Sequence, residues 1–150
     1  MKRKIYIGAD SAGYSLKEEI KNHLAELGYE VSDMGTDSDA SCHYPIFASA
    51  VCKNVQKDAN SYGILVCGTG IGMSMCANKY KGIRAAVCGD TFSAKMTRRH
   101  NDANVLCIGA RVIGTLLAMD IVDIFLENEF EGGRHATRVD MMTDIENENM

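Results

Sequence analysis

Short apolar runs alternate with amphipathic stretches along the whole chain. Lys4 to Ala9 (Lys-Ile-Tyr-Ile-Gly-Ala) reads as a strand that ends in a turn at Asp10-Ser11-Ala12-Gly13. Leu16, Ile20, Leu24 and Leu27 then recur at helical spacing. Ser15 is placed to cap that helix, with Glu18 completing a capping box, and Gly28 supplies the stop. Tyr29 to Met34 is a second strand, and residues 35–43 form a polar loop long enough to carry function. Pro45 opens the next helix at its first position, with Phe47, Ala50, Val51 and Val55 inward. Tyr62 to Cys67 is a short, β-rich apolar run, fit for a buried parallel strand, and the glycine turn after it leads into a helix reaching Lys79. Ile83–Cys88 is a fourth strand, Thr91–Arg99 a helix, Val105–Ile108 a fifth strand and Val112–Leu126 a long apolar helix. After Gly132-Gly133, an amphipathic segment from Arg134 to Glu146 closes the pattern.

Regular alternation of strand and helix predicts right-handed βαβ units and a parallel sheet covered on both faces. Five strands fit one α/β domain over residues 1–150, doubly wound and Rossmann-like. The expected order is 2-1-3-4-5, with a helical extension at the C-terminus. Ligands of such sheets bind beyond the carboxyl ends of the strands. Asp10, Ser11, the stretch Cys67 to Gly72, and His100 are expected at that edge.

Composition narrows the function classes. The chain has 150 residues, enough to bury roughly 70% of the surface its unfolded form exposes. A net charge of −4 argues against a nucleic-acid footprint, which would be basic. The N-terminal Lys2-Arg3-Lys4 precedes only a short strand-like run, unlike a signal peptide, and no apolar stretch approaches the roughly 20 residues that span a bilayer. The expectation is a soluble, cytoplasmic protein with neither nucleic-acid nor membrane partner. Six cysteines, at 42, 52, 67, 76, 88 and 107, include no Cys-x-x-Cys pair, so a zinc knuckle or dithiol redox motif is unsupported. Most are read as reduced, small core residues.

Chemistry concentrates in Cys67-Gly68-Thr69-Gly70-Ile71-Gly72. The glycines let the backbone turn sharply and present successive N–H groups. A cysteine at the end of a strand and beside a helix N-terminus is expected to give up its proton more easily than a free thiol. That combination fits a general base or nucleophile with preformed stabilisation for an anion. A nucleotide-phosphate loop in which the cysteine merely packs fits the spacing equally well. A dinucleotide fingerprint does not, because its third glycine is displaced and the loop follows the third strand. His100 reads alone as a helix C-terminal residue complementing the dipole, but Asn101 and Asn104 beside it crowd polar groups into one loop. Arg111, Arg134 and Arg138 follow. The last two are four apart and face one way on a helix, suiting either a phosphate dianion or an ordinary exposed basic face.

The ordered set of these segments resembles the type B ribose-5-phosphate isomerases, within the wider group that includes the galactose-6-phosphate isomerase subunits. The similarity runs end to end. It rests on Gly8-Ala9-Asp10, Tyr44-Pro45, the run Ile64 to Gly72, Ala77-Asn78-Lys79, Gly82-Ile83-Arg84-Ala85, the run His100 to Leu106, and Gly132-Gly133-Arg134-His135. The resemblance implies aldose–ketose isomerisation of a sugar phosphate without metal or cofactor. It makes Cys67 the base that moves a proton between C2 and C1 through a cis-enediolate. Thr69 and the backbone from Gly68 through Gly70 and Ile71 to Gly72 hold that enediolate. His100 assists opening of the furanose ring, Asn101 binds sugar hydroxyls, and Asp10 contacts the sugar. Arg111, Arg134 and Arg138 hold the phosphate, and Tyr44 lines the pocket. Family members are homodimers or dimers of dimers whose sites draw on both subunits.

Two positions depart from that pattern. Ser11 stands where the ribose-5-phosphate members usually carry histidine, and His43 where they commonly carry aspartate. A serine hydroxyl donates a hydrogen bond but supplies no cationic charge. Altered substrate preference, toward galactose or allose 6-phosphate, is one expectation, with His43 supplying part of the polar interaction that Ser11 does not provide. Neutral drift is another, and a weakly active sugar-phosphate-binding subunit a third.

Overall fold

The computed structural model describes residues 2–150. Its strands are β1 (Lys4–Ala9), β2 (Val31–Asp33), β3 (Ser61–Cys67), β4 (Ala85–Val87) and β5 (Val105–Gly109). Its helices are α1 (Tyr14–Glu26), α2 (Tyr44–Lys57), α3 (Ile71–Ala77), α4 (Thr91–Asn101), α5 (Thr115–Glu127) and α6 (Arg134–Asn149). All strand pairs are parallel. The expected α/β sheet with helices on both faces and a C-terminal helix is therefore present.

Strand order is β2-β1-β3-β5-β4, which corrects the expected 2-1-3-4-5. Burial explains the exchange. All five residues of β5 are buried, so its backbone needs a partner strand on each side. β4 is only three residues long and half-exposed, which suits an edge.

The period of two in the strands assigns the two faces. Ile64 and Val66 of β3, with Leu106 and Ile108 of β5, enter a core under α1, α4 and α5. Leu65 and Cys67, with Val105 and Cys107, enter the opposite core under α2 and α3. Cys67 thus ends the central strand with its side chain on the α2–α3 face.

Helix starts differ from expectation in two places. α1 begins at Tyr14 with Gly13 as its N-cap and no side-chain cap, so Ser15 and Glu18 form no capping box. The Asp10 carboxylate accepts from the Gly13 amide at 3.0 Å, closing the turn one residue earlier, while Glu18 pairs with Lys21. α2 begins at Tyr44, which moves Pro45 to its second position, and buries Ala48, Val51, Cys52 and Val55 but leaves Ala50 half-buried. Gly28 follows α1 at φ 85°, the left-handed conformation expected of a stop.

Two cations are buried with partners. Lys17 Nζ donates to both Asp33 oxygens at 2.7 Å and to the Thr36 carbonyl at 2.8 Å, tying α1 to the end of β2. Arg98 donates to Asp102 at 2.9 Å and to the carbonyls of Ala103 and Asn128, with its guanidinium 4.6 Å from the Tyr62 ring centroid. It anchors the C-terminal end of α4 beside the start of β5. Among the described residues, no helix is long and apolar enough to cross a membrane.

Candidate active site

A cleft of about 390 Å³ opens at the carboxyl end of β3, lined by Asp10, Tyr44, Cys67, Gly68, Thr69, Ile71, Gly72 and Met75. Cys67 lies at its base, 5% exposed. The Gly70 amide donates to its sulfur at 3.1 Å. That contact needs the backbone to reverse within three residues, and Gly70 does so at φ 80°, where a side chain is strained. An N–H aimed at sulfur interacts more strongly with a thiolate than with a thiol.

The loop is held rigidly from behind. The Ala110 amide donates to the Cys67 carbonyl at 2.8 Å and the Arg111 amide to the Gly68 carbonyl at 3.0 Å. The turn after β5 therefore fastens the turn after β3 and sets the Arg111 side chain against Gly68, whose own Cβ would lie 3.6 Å from Arg111 Cδ. Thr69 is exposed, and its hydroxyl oxygen accepts from the Ile71 amide at 3.2 Å. The first turn of α3 leaves the amides of Gly72 and Met73 without intrahelical acceptors. Tyr44 packs directly on Gly72, where an added Cβ would meet its ring at 2.7 Å. Ser11 follows Asp10 half-buried, and His43 is the exposed, extended residue before α2; neither lines the cleft.

Three other thiols lie in the two cores. Burial pushes Cys52 up to about 12 and Cys88 up to about 11, and Cys107 is raised well above the usual thiol range. These three are neutral core groups, as expected from the sequence.

His100, Asn101, Arg134 and Arg138 are not in this cleft. The expectation that His100 shares the carboxyl edge is corrected by the helix direction. A helix joining parallel strands runs against them, so α4 ends at the amino edge. Asn104, three residues past α4, confirms this by pairing with Arg84 and with Gly63 near the strand starts. There the His100 ring stacks on His135 of α6, with centroids 4.0 Å apart and planes within 8°. Glu131 faces both rings, 3.6 Å from His100 Nε2 and 3.7 Å from His135 Nε2. Burial, His100 and Arg134 together hold His135 below its ordinary pKa, against the pull of Glu131. Arg134 and Arg138 lie exposed on α6, one turn apart, and make no ion pair among the described residues. The chain thus carries two separate groups of candidate residues, one on each edge of the sheet.

Glu131 and His135 were not among the residues expected in the site. Their i, i+4 spacing is visible in the sequence, but nothing local links them to His100 thirty residues earlier.

A family model described as Ribose/Galactose Isomerase matches residues 5–142. The chain belongs to that isomerase family. Among its family relatives, ribose-5-phosphate isomerase B of Escherichia coli (strain K12) is 50% identical over 144 residues, covering 96% of this chain and 97% of the relative. The family structure from Clostridium thermocellum, a ribose-5-phosphate isomerase B, superposes with a TM-score of 0.96 at 51% identity, covering 98% of this chain and 99% of that one. A further family member, ribose-5-phosphate isomerase B of Mycoplasma genitalium with bound ribulose-5-phosphate, gives a TM-score of 0.94 at 41% identity, with 97% of each chain covered.

Proposed function

We propose that this chain is an aldose–ketose isomerase that interconverts ribose 5-phosphate and ribulose 5-phosphate, with Cys67 as the base. The observation that carries the reading is the Cys67 sulfur, seated at the base of the carboxyl-edge cleft with the Gly70 amide donating to it. A proton α to a carbonyl is a weak acid, so a base alone is insufficient. Charge on the developing enediolate must be met by donors that do not reorganise. The fixed loop from Gly68 to Gly72 and the exposed Thr69 hydroxyl are of that kind.

Sulfur takes the C2 proton of the open-chain aldose, and the electron pair passes through C1 to the carbonyl oxygen, giving the cis-enediolate. The proton returns to C1 while the O2 hydroxyl proton moves to O1, leaving the carbonyl at C2. Asp10, whose carboxylate is steadied by the Gly13 amide, accepts from sugar hydroxyls. Arg111, set against Gly68, is the cation assigned to the phosphate.

A second copy of the chain completes the site. His100, for ring opening, Asn101, for sugar hydroxyls, and Arg134 and Arg138, for the phosphate, lie on the opposite edge from Cys67, so one chain does not unite them. Isologous pairing brings the amino-edge group of one protomer to the carboxyl-edge cleft of its partner. Ile71 and Met75, 50% and 64% exposed at the cleft, supply apolar area for such pairing. A base thiol must stay reduced, which places the enzyme in a reducing, cytoplasmic setting.

Ser11 favours a second reading, in which a hexose 6-phosphate is the better substrate. Ser11 lacks the cationic charge of the histidine usual there, while Asp10 beside it is retained in the cleft.

The test is NMR of the purified protein in deuterated buffer with ribose, allose and galactose phosphates in parallel. Ketose formation with deuterium entering at C1 is expected, fastest with ribose 5-phosphate. Folded protein that exchanges no hydrogen with any of the three contradicts the assignment.

A further inference from the structure

Glu131 is held at two points against the end of α4. Its backbone N–H donates to the Arg99 carbonyl at 3.0 Å, and its Oε2 accepts from Arg99 Nε at 2.6 Å. Those two bonds fix the remaining oxygen, Oε1, between His100 and His135. His135 is itself 8% exposed, so the inner ring of the stack is packed in place while the outer ring, His100, is partly exposed.

Two histidines and a carboxylate with ligand atoms within 4.8 Å of one another have the composition of a metal site. The ring planes argue against that. A metal ion lies in the plane of each imidazole that binds it, and the lone pairs of two parallel, stacked rings run side by side without converging. The arrangement suits a proton instead. Two stacked imidazolium ions repel, and a single carboxylate offsets one charge. Arg99, Arg134 and Arg138 are cations beside the stack, and Glu131 is the carboxylate that faces both rings. His135, disfavoured as a cation by burial and by its neighbours, is the neutral supporting ring.

We infer that Glu131 and His135 are positioning residues that fix the His100 ring for proton transfer during opening of the sugar ring. This rests on the reading of His100 given above. In ring opening the anomeric hydroxyl loses its proton, the C1–O4 bond breaks with its electron pair going to O4, and O4 gains a proton as C1=O1 forms. An imidazole in one fixed orientation can take the first proton and return it to O4.

Ribulose 5-phosphate separates this step from the chemistry at Cys67. Its O5 carries the phosphate, so it closes no furanose ring, and exchange of its C1 hydrogen with deuterated water requires no ring opening. Ribose 5-phosphate turnover requires both steps. Glu131→Gln and His135→Asn are therefore each assayed for forward turnover and for C1 exchange, with His100→Asn as the reference. For both positioning variants, turnover is expected to fall at least about tenfold more than exchange. Measurable exchange also reports that the variant is folded, and either variant suffices if the other fails to fold. Equal losses in the two assays overturn the inference, because a merely structural role lowers both together. A split in His100→Asn without one in Glu131→Gln or His135→Asn also overturns it, while leaving the reading of His100 intact. No split in His100→Asn removes that reading and this inference together.

Discussion

The Gly70 amide donates to the Cys67 sulfur at 3.1 Å, and the backbone turn that permits it is made at a positive φ. Sulfur, amide and turn form one unit at the end of a buried strand, where the proposed base sits. Cys67→Ala removes the proposed base and leaves a small residue in a space already lined by α2 and α3. Isomerisation is expected to fall by at least about a hundredfold, with the circular-dichroism spectrum and thermal transition close to those of the parent. An active Cys67→Ala protein would remove the proposed mechanism.

Gly70→Ala tests the turn itself. Its Cβ would lie 3.0 Å from the Ile108 carbonyl carbon at a φ of 80°. The left-handed conformation alone costs about 1–2 kcal/mol, and the crowding moves the loop away from sulfur. Loss of kcat beyond the loss of stability is expected, checked by comparing denaturant midpoints with turnover at saturating substrate.

Arg134 and Arg138 are exposed and make no ion pair among the described residues. Alanine at either position is expected to leave folding nearly unchanged and raise KM for the phosphorylated sugar by about 10- to 100-fold, the range of one charge-assisted hydrogen bond. Steady-state kinetics and thermal melts check the two halves of that statement.

The pair of buried Lys17 and half-buried Asp33 contributes to acid stability. Burial pushes the Asp33 carboxyl up, but hydrogen bonds from Lys17, Lys21 and the Gly35 amide outweigh it and hold the carboxyl below its ordinary 3.8. A lowered folded value means the pair stabilises the fold above about pH 4, the unfolded carboxyl's range, and loses that contribution as pH falls through the folded value. Asp33→Asn leaves Lys17 buried without a counter-charge and is expected to destabilise by about 3 kcal/mol at neutral pH. The gap from the parent should narrow below pH 4 in urea titrations.

Much of this was legible in the sequence because it is local. The Ile64–Cys67 run with its glycine turn predicts both a buried strand and the residue at its end, and the alternation around it predicts the parallel sheet. Strand order was not local. It turns on β5 being apolar throughout while β4 is short, a comparison between segments well separated along the chain. The placement of His100 failed for a related reason. Its neighbours in sequence indicated function, but which edge of the sheet it occupies is set by the direction of α4. The His100–Glu131–His135 cluster depends on α6 folding back onto α4, which no spacing within either helix reveals. Ser15 failed as a cap because Asp10, five residues earlier, closes the turn first.

Mixing inactive variants tests the central claim most directly. Cys67→Ala and Arg134→Ala chains are co-expressed, purified together and assayed at ribose 5-phosphate well below the parent KM, where each alone has little activity. If the two residues act in one site from different protomers, a mixed dimer holds one site carrying both substitutions and one carrying neither. Random pairing should then restore about a quarter of the parent activity. A mixture no more active than the two variants measured separately would contradict a site shared between copies.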